Sequence, residues 1–109
     1  MINGDALVSI NQAVCYELQA ITKKYGVHYA SPHEGYAVLK EEVEEAEECI
    51  QLLNDKLSAI WQNVKMNWND STVIYQASQA AIALAEEAVQ CAAVCERYIA
   101  TVDDMLGKK

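Results

Sequence analysis

The sequence predicts an all-α protein: a long antiparallel helical hairpin preceded by an N-terminal helix, forming an oligomeric four-helix-type bundle. Three observations predict it. Apolar residues recur at alternating intervals of three and four along most of the chain. A complete helix-start signal stands at Ser31 to Glu34. The 109 residues include one proline, four glycines and no phenylalanine, while alanine, leucine, isoleucine and valine abound. That mixture suits helices whose backbones approach closely, and the length suits a single domain spanning residues 1–109.

The first helix is expected from about Asp5 to Tyr25. Leu7, Ile10, Val14, Leu18, Ile21 and Tyr25 form its apolar stripe, and Gly26 is a natural stop. The connector "GVHYA" follows. In the second helix Ser31 is the N-cap, Pro32 takes the first helical position, and Glu34 completes a capping box. Tyr36, Leu39, Val43, Ala46, Ile50, Leu53, Leu57, Ile60 and Val64 then make an unbroken coiled-coil-like seam with no breaker before about Asn67. At 1.5 Å per residue this helix is roughly 50 Å long. "NWND" supplies a turn, with Asn69 or Asp70 as the next cap. The third helix carries Ile74, Ala77, Ala81, Leu84, Ala88, Cys91, Cys95, Tyr98, Val102 and Met105, and ends near Gly107.

Two helices of this length exceed the roughly 35 Å diameter of a compact globule of this size. The stretch "AAIALAEEAVQCAAVC", residues 80–95, is apolar nearly all round, which predicts burial on more than one side. A short first helix covers only part of the hairpin. A homo-oligomer, most simply a dimer, is therefore expected to cover the rest.

A net charge of −8 leaves no basic patch for a nucleic-acid backbone or an anionic membrane. A triphosphate remains admissible where cations bridge it to carboxylates. No apolar run reaches the roughly 18 residues of a membrane span, and the N-terminus shows no signal-peptide pattern, so the expected location is the cytoplasm. Cys15, Cys49, Cys91 and Cys95 form no CxxC pattern and read as reduced, small core residues.

Six glutamates crowd positions 41, 42, 44, 45, 47 and 48. Helical geometry separates them. Glu44, Glu47 and Glu48 flank the seam or face outward, as a solvated charged face does. Glu42 and Glu45 interrupt a second stripe, Val38–Glu42–Glu45–Cys49–Leu52, that is otherwise apolar, and Glu41 lies about 40° from Glu45 around the helix. The third helix has a matching stripe, Ala80–Ala83–Glu87–Gln90–Val94. Carboxylates entering an apolar interface unpaired cost several kcal/mol, roughly, unless a partner charge or metal compensates. Four acids and an amide on facing helices can do so by holding Mg²⁺ through oxygen ligands. Across a turn centred near residue 69, facing residues sum to about 138; Glu45 with Glu87 and Glu42 with Gln90 each sum to 132, an offset of about three residues. Glu48 sums to 138 with Gln90 and is the fallback ligand, and Glu86 is undecided.

"HEGYAVLKEEVEEAEE" followed by "AEEAVQCAAVCERYI" resembles the MazG-like proteins of the all-α nucleoside triphosphate pyrophosphatase superfamily, which includes small bacterial and phage-encoded members. The resemblance runs from His33 to Ile99. It implies an EExxE motif on Glu41, Glu42 and Glu45, with Glu44, Glu45 and Glu48 a second register. It further implies an ExxD motif on Glu87, whose aspartate position holds Gln90, and Mg²⁺, or Mn²⁺, bound by these residues. The implied reaction is hydrolysis of a (d)NTP to the (d)NMP and pyrophosphate, with Glu41 or Glu45 accepting a proton from water. Lys40 and Arg97 are the candidate cationic contacts to substrate, plain surface charge being the simpler reading of each. His33 and Tyr36, and Asn11, Gln12 and Gln19, are candidate contacts to the nucleotide. This chain departs from the family pattern in Gln90, a neutral ligand, and in a longer segment between the motifs. The alternative is a catalytically weakened relative that binds nucleotide, metal or a protein partner. A di-iron bundle would need Glu-x-x-His pairs, which His28 and His33 do not make. A purely structural coiled coil would explain the seam but not the acids in the second stripes.

Overall fold

The computed structural model describes residues 1–107, all of whose regular structure is helical: α1 (Gly4–Tyr25), α2 (Pro32–Lys65) and α3 (Thr72–Met105). Each start is chemically marked. Asn3 caps α1, its Oδ1 accepting from the Ala6 N–H at 2.8 Å, and Gly26 ends it at φ 92°, a left-handed conformation that favours glycine. Ser31 Oγ accepts from the Glu34 N–H at 3.2 Å. The Glu34 carboxylate reaches back to the Ala30 N–H at 3.3 Å, one residue upstream of the usual capping-box partner. At α3 the cap lies one residue later than the sequence suggests. Ser71 occupies the N-cap position without a side-chain bond, while Asp70 Oδ1 accepts from both the N–H and the hydroxyl of Thr72, at 2.9 and 2.8 Å. Asn67 turns the chain at φ 55°.

α3 is the central element and packs on both other helices, as its all-round apolar stretch requires. α1 rests on α3 rather than on α2. Tyr98 of α3 lies across Gly35 of α2, where a Cβ would come within 2.9 Å of the ring, and its hydroxyl donates to the Pro32 carbonyl at 2.9 Å.

The connector between α1 and α2 is tied to α3 by side chains 69 to 72 residues away. Arg97 donates from Nε to the Gly26 carbonyl at 3.1 Å, and from Nη2 to the carbonyls of Tyr25 at 3.1 Å and His28 at 3.0 Å. Its guanidinium stacks 4.1 Å from the ring centre of Tyr29. The Tyr29 N–H donates to Thr101 Oγ1 at 2.9 Å. Arg97 is thus buried, and the sequence reading of it as a surface charge is corrected: its donors satisfy the carbonyls where α1 ends.

The molecule extends 62 × 31 × 23 Å, with a radius of gyration of 18.1 Å against about 13 Å for a compact domain of this length. Among the described residues only Tyr29, Ala80, Ala93 and Val94 are buried apolar residues.

Candidate functional site

The second stripes of α2 and α3 meet. One carboxylate oxygen from each of Glu42, Glu45 and Glu87 lies within 4.8 Å of the other two. Gln90 completes the group. With its amide turned so that both acids find a donor, Nε2 gives hydrogen bonds to Glu42 Oε2 at 3.1 Å and Glu87 Oε2 at 3.0 Å. Glu42 with Gln90 and Glu45 with Glu87 meet in the register of the two stripes, about three residues away from the one a turn centred at residue 69 would give, and Glu48, the fallback for that turn register, stays outside the cluster.

Three like charges at this spacing oppose one another. Partial burial, then the charges of Glu45, Glu87 and Glu41, push the Glu42 carboxyl above the ordinary range. Glu87 is likewise raised, first by desolvation and then by its contact with Glu45. The Cys91 thiol, one turn beyond Glu87, is pushed up by burial and by the nearby acids. Gln90 offsets part of this cost, since an amide N–H pair donates to carboxylates without itself carrying a charge.

The remaining acids separate as their helical phase predicts. Glu44, Glu47 and Glu48 are exposed, as is Glu86. Glu41 is exposed beside the cluster and outside the trio of converging oxygens, close enough for its charge to act on Glu42. Lys40 is exposed and engaged with Glu44, whose hydrogen bond and charge raise its pKa.

A cleft of about 600 Å³ opens beside the cluster, between the end of α1, the connector and the facing sides of α2 and α3. Glu42 lines it together with Ile21, Tyr25, His28, Tyr29, Glu34, Val38, Val94 and Arg97. The volume falls in the range of small-molecule sites, and the lining is mostly apolar with a few convergent polar groups. Glu42 is therefore common to the acid cluster and the cleft. His33 and Tyr36 are exposed and take no part in the lining, while Asn11 and Gln12 line a separate shallow hollow on α1. The connector residues His28 and Tyr29 stand there instead. Arg97 and Thr101 of α3 hold that fold-back, and sequence reasoning missed it because their partners lie about seventy residues away.

The donor set suits a hard divalent cation. All three acids offer oxygen, and the three atoms lie within 4.8 Å of one another, close to the roughly 4.2 Å that spans an octahedral Mg²⁺ site. Comparison with protein-family models, with curated proteins and with solved structures returns no match to this chain.

Proposed function

We propose that this chain is a Mg²⁺-dependent nucleotide pyrophosphohydrolase of MazG-like type, cleaving a (d)NTP to the (d)NMP and pyrophosphate. The observation that carries the reading is the convergence of Glu42, Glu45 and Glu87 from two helices, with Glu42 also lining a cleft of about 600 Å³. Glu42, Glu45 and Glu87 would hold the cation, or Mn²⁺ in its place, with Gln90 offering its carbonyl oxygen once the amide turns. When bound, the cation neutralises phosphate charge and orients the substrate for attack by water.

The chain's own groups supply the rest. Glu41, exposed and outside the trio, is the carboxylate free to accept a proton from the attacking water, with Glu45 the second candidate. Lys40 stays with Glu44: it lies about 160° around α2 from Glu42, on the side away from the cleft, so in this reading the phosphate contact falls to the cation rather than to Lys40. Arg97 acts on substrate by holding the cleft wall in place, since its donors are engaged with the connector. The apolar cleft takes the nucleoside and keeps bulk water from its inner end.

In this reading α2 and α3 form an antiparallel hairpin, which the pairings Gly35 with Tyr98, Glu42 with Gln90 and Glu45 with Glu87 support. Residues 1–109 act as one domain, within a homodimer or higher homo-oligomer in the cytoplasm.

Gln90 favours a second reading. Its amide already binds two of the acids, so the bundle accommodates them without a cation, as a binding protein derived from such an enzyme would. A screen of nucleoside triphosphates with Mg²⁺ or Mn²⁺, following pyrophosphate release, separates the two. The enzyme reading expects turnover that Glu42→Gln and Glu45→Gln each reduce at least a hundredfold. Binding without turnover supports the second reading. No turnover together with no metal-dependent thermal shift rejects the enzyme reading.

A further inference from the structure

The seam of α2 is largely open. Tyr36, Val43, Ile50, Leu57 and Val64 follow one another at intervals of seven, and their exposures run from 40% at Val43 to 61% at Leu57. On α3 the seam from Ile74 to Val102 contains no charged residue and is rich in alanine. Its C-terminal part is hollowed into a depression of about 370 Å³ lined by Cys95, Tyr98, Ile99 and Val102, with Asp103 as its one charged residue.

At about 100° per residue, the contacts of Gly35 with Tyr98 and Glu42 with Gln90 place both seams on one flank of the helix pair. The cleft lies on the other flank, lined by Val38 and Glu42 of α2 and by Val94 and Arg97 of α3. α1 covers that second flank only. The first flank is therefore a continuous apolar face about as long as the helices.

The exposed area indicates what covers it. The chain exposes 7949 Å². A monomeric protein of 12.1 kDa exposes about 6,000 Å², so the excess is roughly 1,900 Å². Twice that excess falls within the range of obligate homodimer interfaces, about 2,000–5,000 Å² in total. Sevenfold spacing of apolar residues is also the pattern by which one helix seats against another like it.

We propose that a second copy of this chain docks on the seam flank through a two-fold interface, burying the α2 heptad stripe and the alanine-rich seam of α3 in a four-helix core. The same residues then serve both partners, and no complementary chain is needed. Each acid cluster and cleft stays on the outer side of the assembly, open to ligand. This inference rests on the oligomeric part of the function proposed above and is independent of its chemistry.

Light scattering on the purified full chain tests it without reading turnover. The expected mass is about twice 12.1 kDa at micromolar concentration. Joint substitution Val43→Glu and Ile50→Glu should shift the mass to that of a monomer or abolish cooperative unfolding. Because that variant also risks misfolding, a photo-crosslinking amino acid is placed at position 50, and in a second protein at the outward-facing position 51. Irradiation should yield covalent dimer from position 50 and little from position 51. A monomeric mass at every concentration overturns the proposal and leaves the face to a different partner. A dimer that cross-links from position 51 alone, or that survives both glutamates unchanged in mass, overturns the assignment of this flank.

Discussion

Glu42 sits where two demands conflict. It lies between like charges from Glu45 and Glu87, and it is partly withdrawn from water. Two unit charges within 4.8 Å repel by about 1 kcal/mol or more even at the dielectric constant of water. Replacing Glu42 by Gln removes that repulsion and leaves Gln90 an oxygen to donate to. Metal-free protein should therefore gain on the order of 1 kcal/mol, a rise of several degrees in Tm, while the Mg²⁺-dependent rise is lost. Differential scanning calorimetry with and without Mg²⁺ checks both. The same charges set a pH dependence. The folded-state pKa values of Glu42 and Glu87 are raised above the 4.5 of a free glutamate, so the folded protein binds more protons than the unfolded one above that pH. Their contribution is fully present below pH 4.5 and is lost as pH rises through the raised values. Urea midpoints of the Glu42→Gln protein should fall less steeply than those of the parent between about pH 4.5 and neutrality, and saturating Mg²⁺ should flatten the parent's fall. Gln90→Asp works the other way. A fourth carboxylate replaces a donor, so metal-free stability should drop by about 1–2 kcal/mol and Mg²⁺ affinity should rise about tenfold, measured by titration calorimetry.

At the scale of elements, the three helices and the faces that carry the two polar stripes were legible in the chain, because both depend on local periodicity; the register in which the stripes meet was not, since it depends on the turn. The three-four spacing fixes which faces are apolar, and Ser31, Pro32 and Glu34 fix the phase in which Glu42 and Glu45 leave α2. The connector was not legible. Arg97 and Tyr25 are 72 residues apart, and nothing local to either announces that a guanidinium will collect the carbonyls ending α1. Nor does periodicity say that α1 rests on α3, since its stripe would suit either long helix. The packing of α2 on α3 carries its own test. Gly35 lies in the first turn of α2, where helix propensity matters least, and an added methyl meets the Tyr98 ring within 2.9 Å. That ring is held by its bond to Pro32, so it yields little. Overpacking costs about 1–3 kcal/mol, against at most about 1 kcal/mol gained by exchanging glycine for alanine. Gly35→Ala should therefore lower stability by about 1–2 kcal/mol in urea unfolding, and Tyr98→Leu in the same protein should recover part of it. Arg97→Lys should preserve charge but lose the planar fork that serves three carbonyls. Its signature is faster hydrogen exchange at the Tyr29 amide, with the middle of α3 unchanged.

The molecule as a whole is longer and thinner than its length requires, and few of its apolar side chains leave water within one chain. A domain of about a hundred residues must offset a conformational entropy of order 100 kcal/mol or more, chiefly by apolar burial. Four buried apolar residues and a set of half-buried ones fall far short of a core able to do so. Folding and association should therefore be one event, with two unfolded chains giving one folded dimer. Mass action then makes stability depend on protein concentration. Each tenfold dilution removes about 1.4 kcal/mol per dimer, which for two chains of this length lowers Tm by about 3 °C. The measurement is a series of thermal melts over a hundredfold range of concentration, where the dimer predicts a total fall of about 6 °C. A chain that folded alone would melt at one temperature throughout. Since the acid clusters lie on the flank away from the interface, added Mg²⁺ should raise every melt in the series by a similar amount and leave the slope with concentration unchanged. A slope that Mg²⁺ abolished would instead place the cation between the two copies.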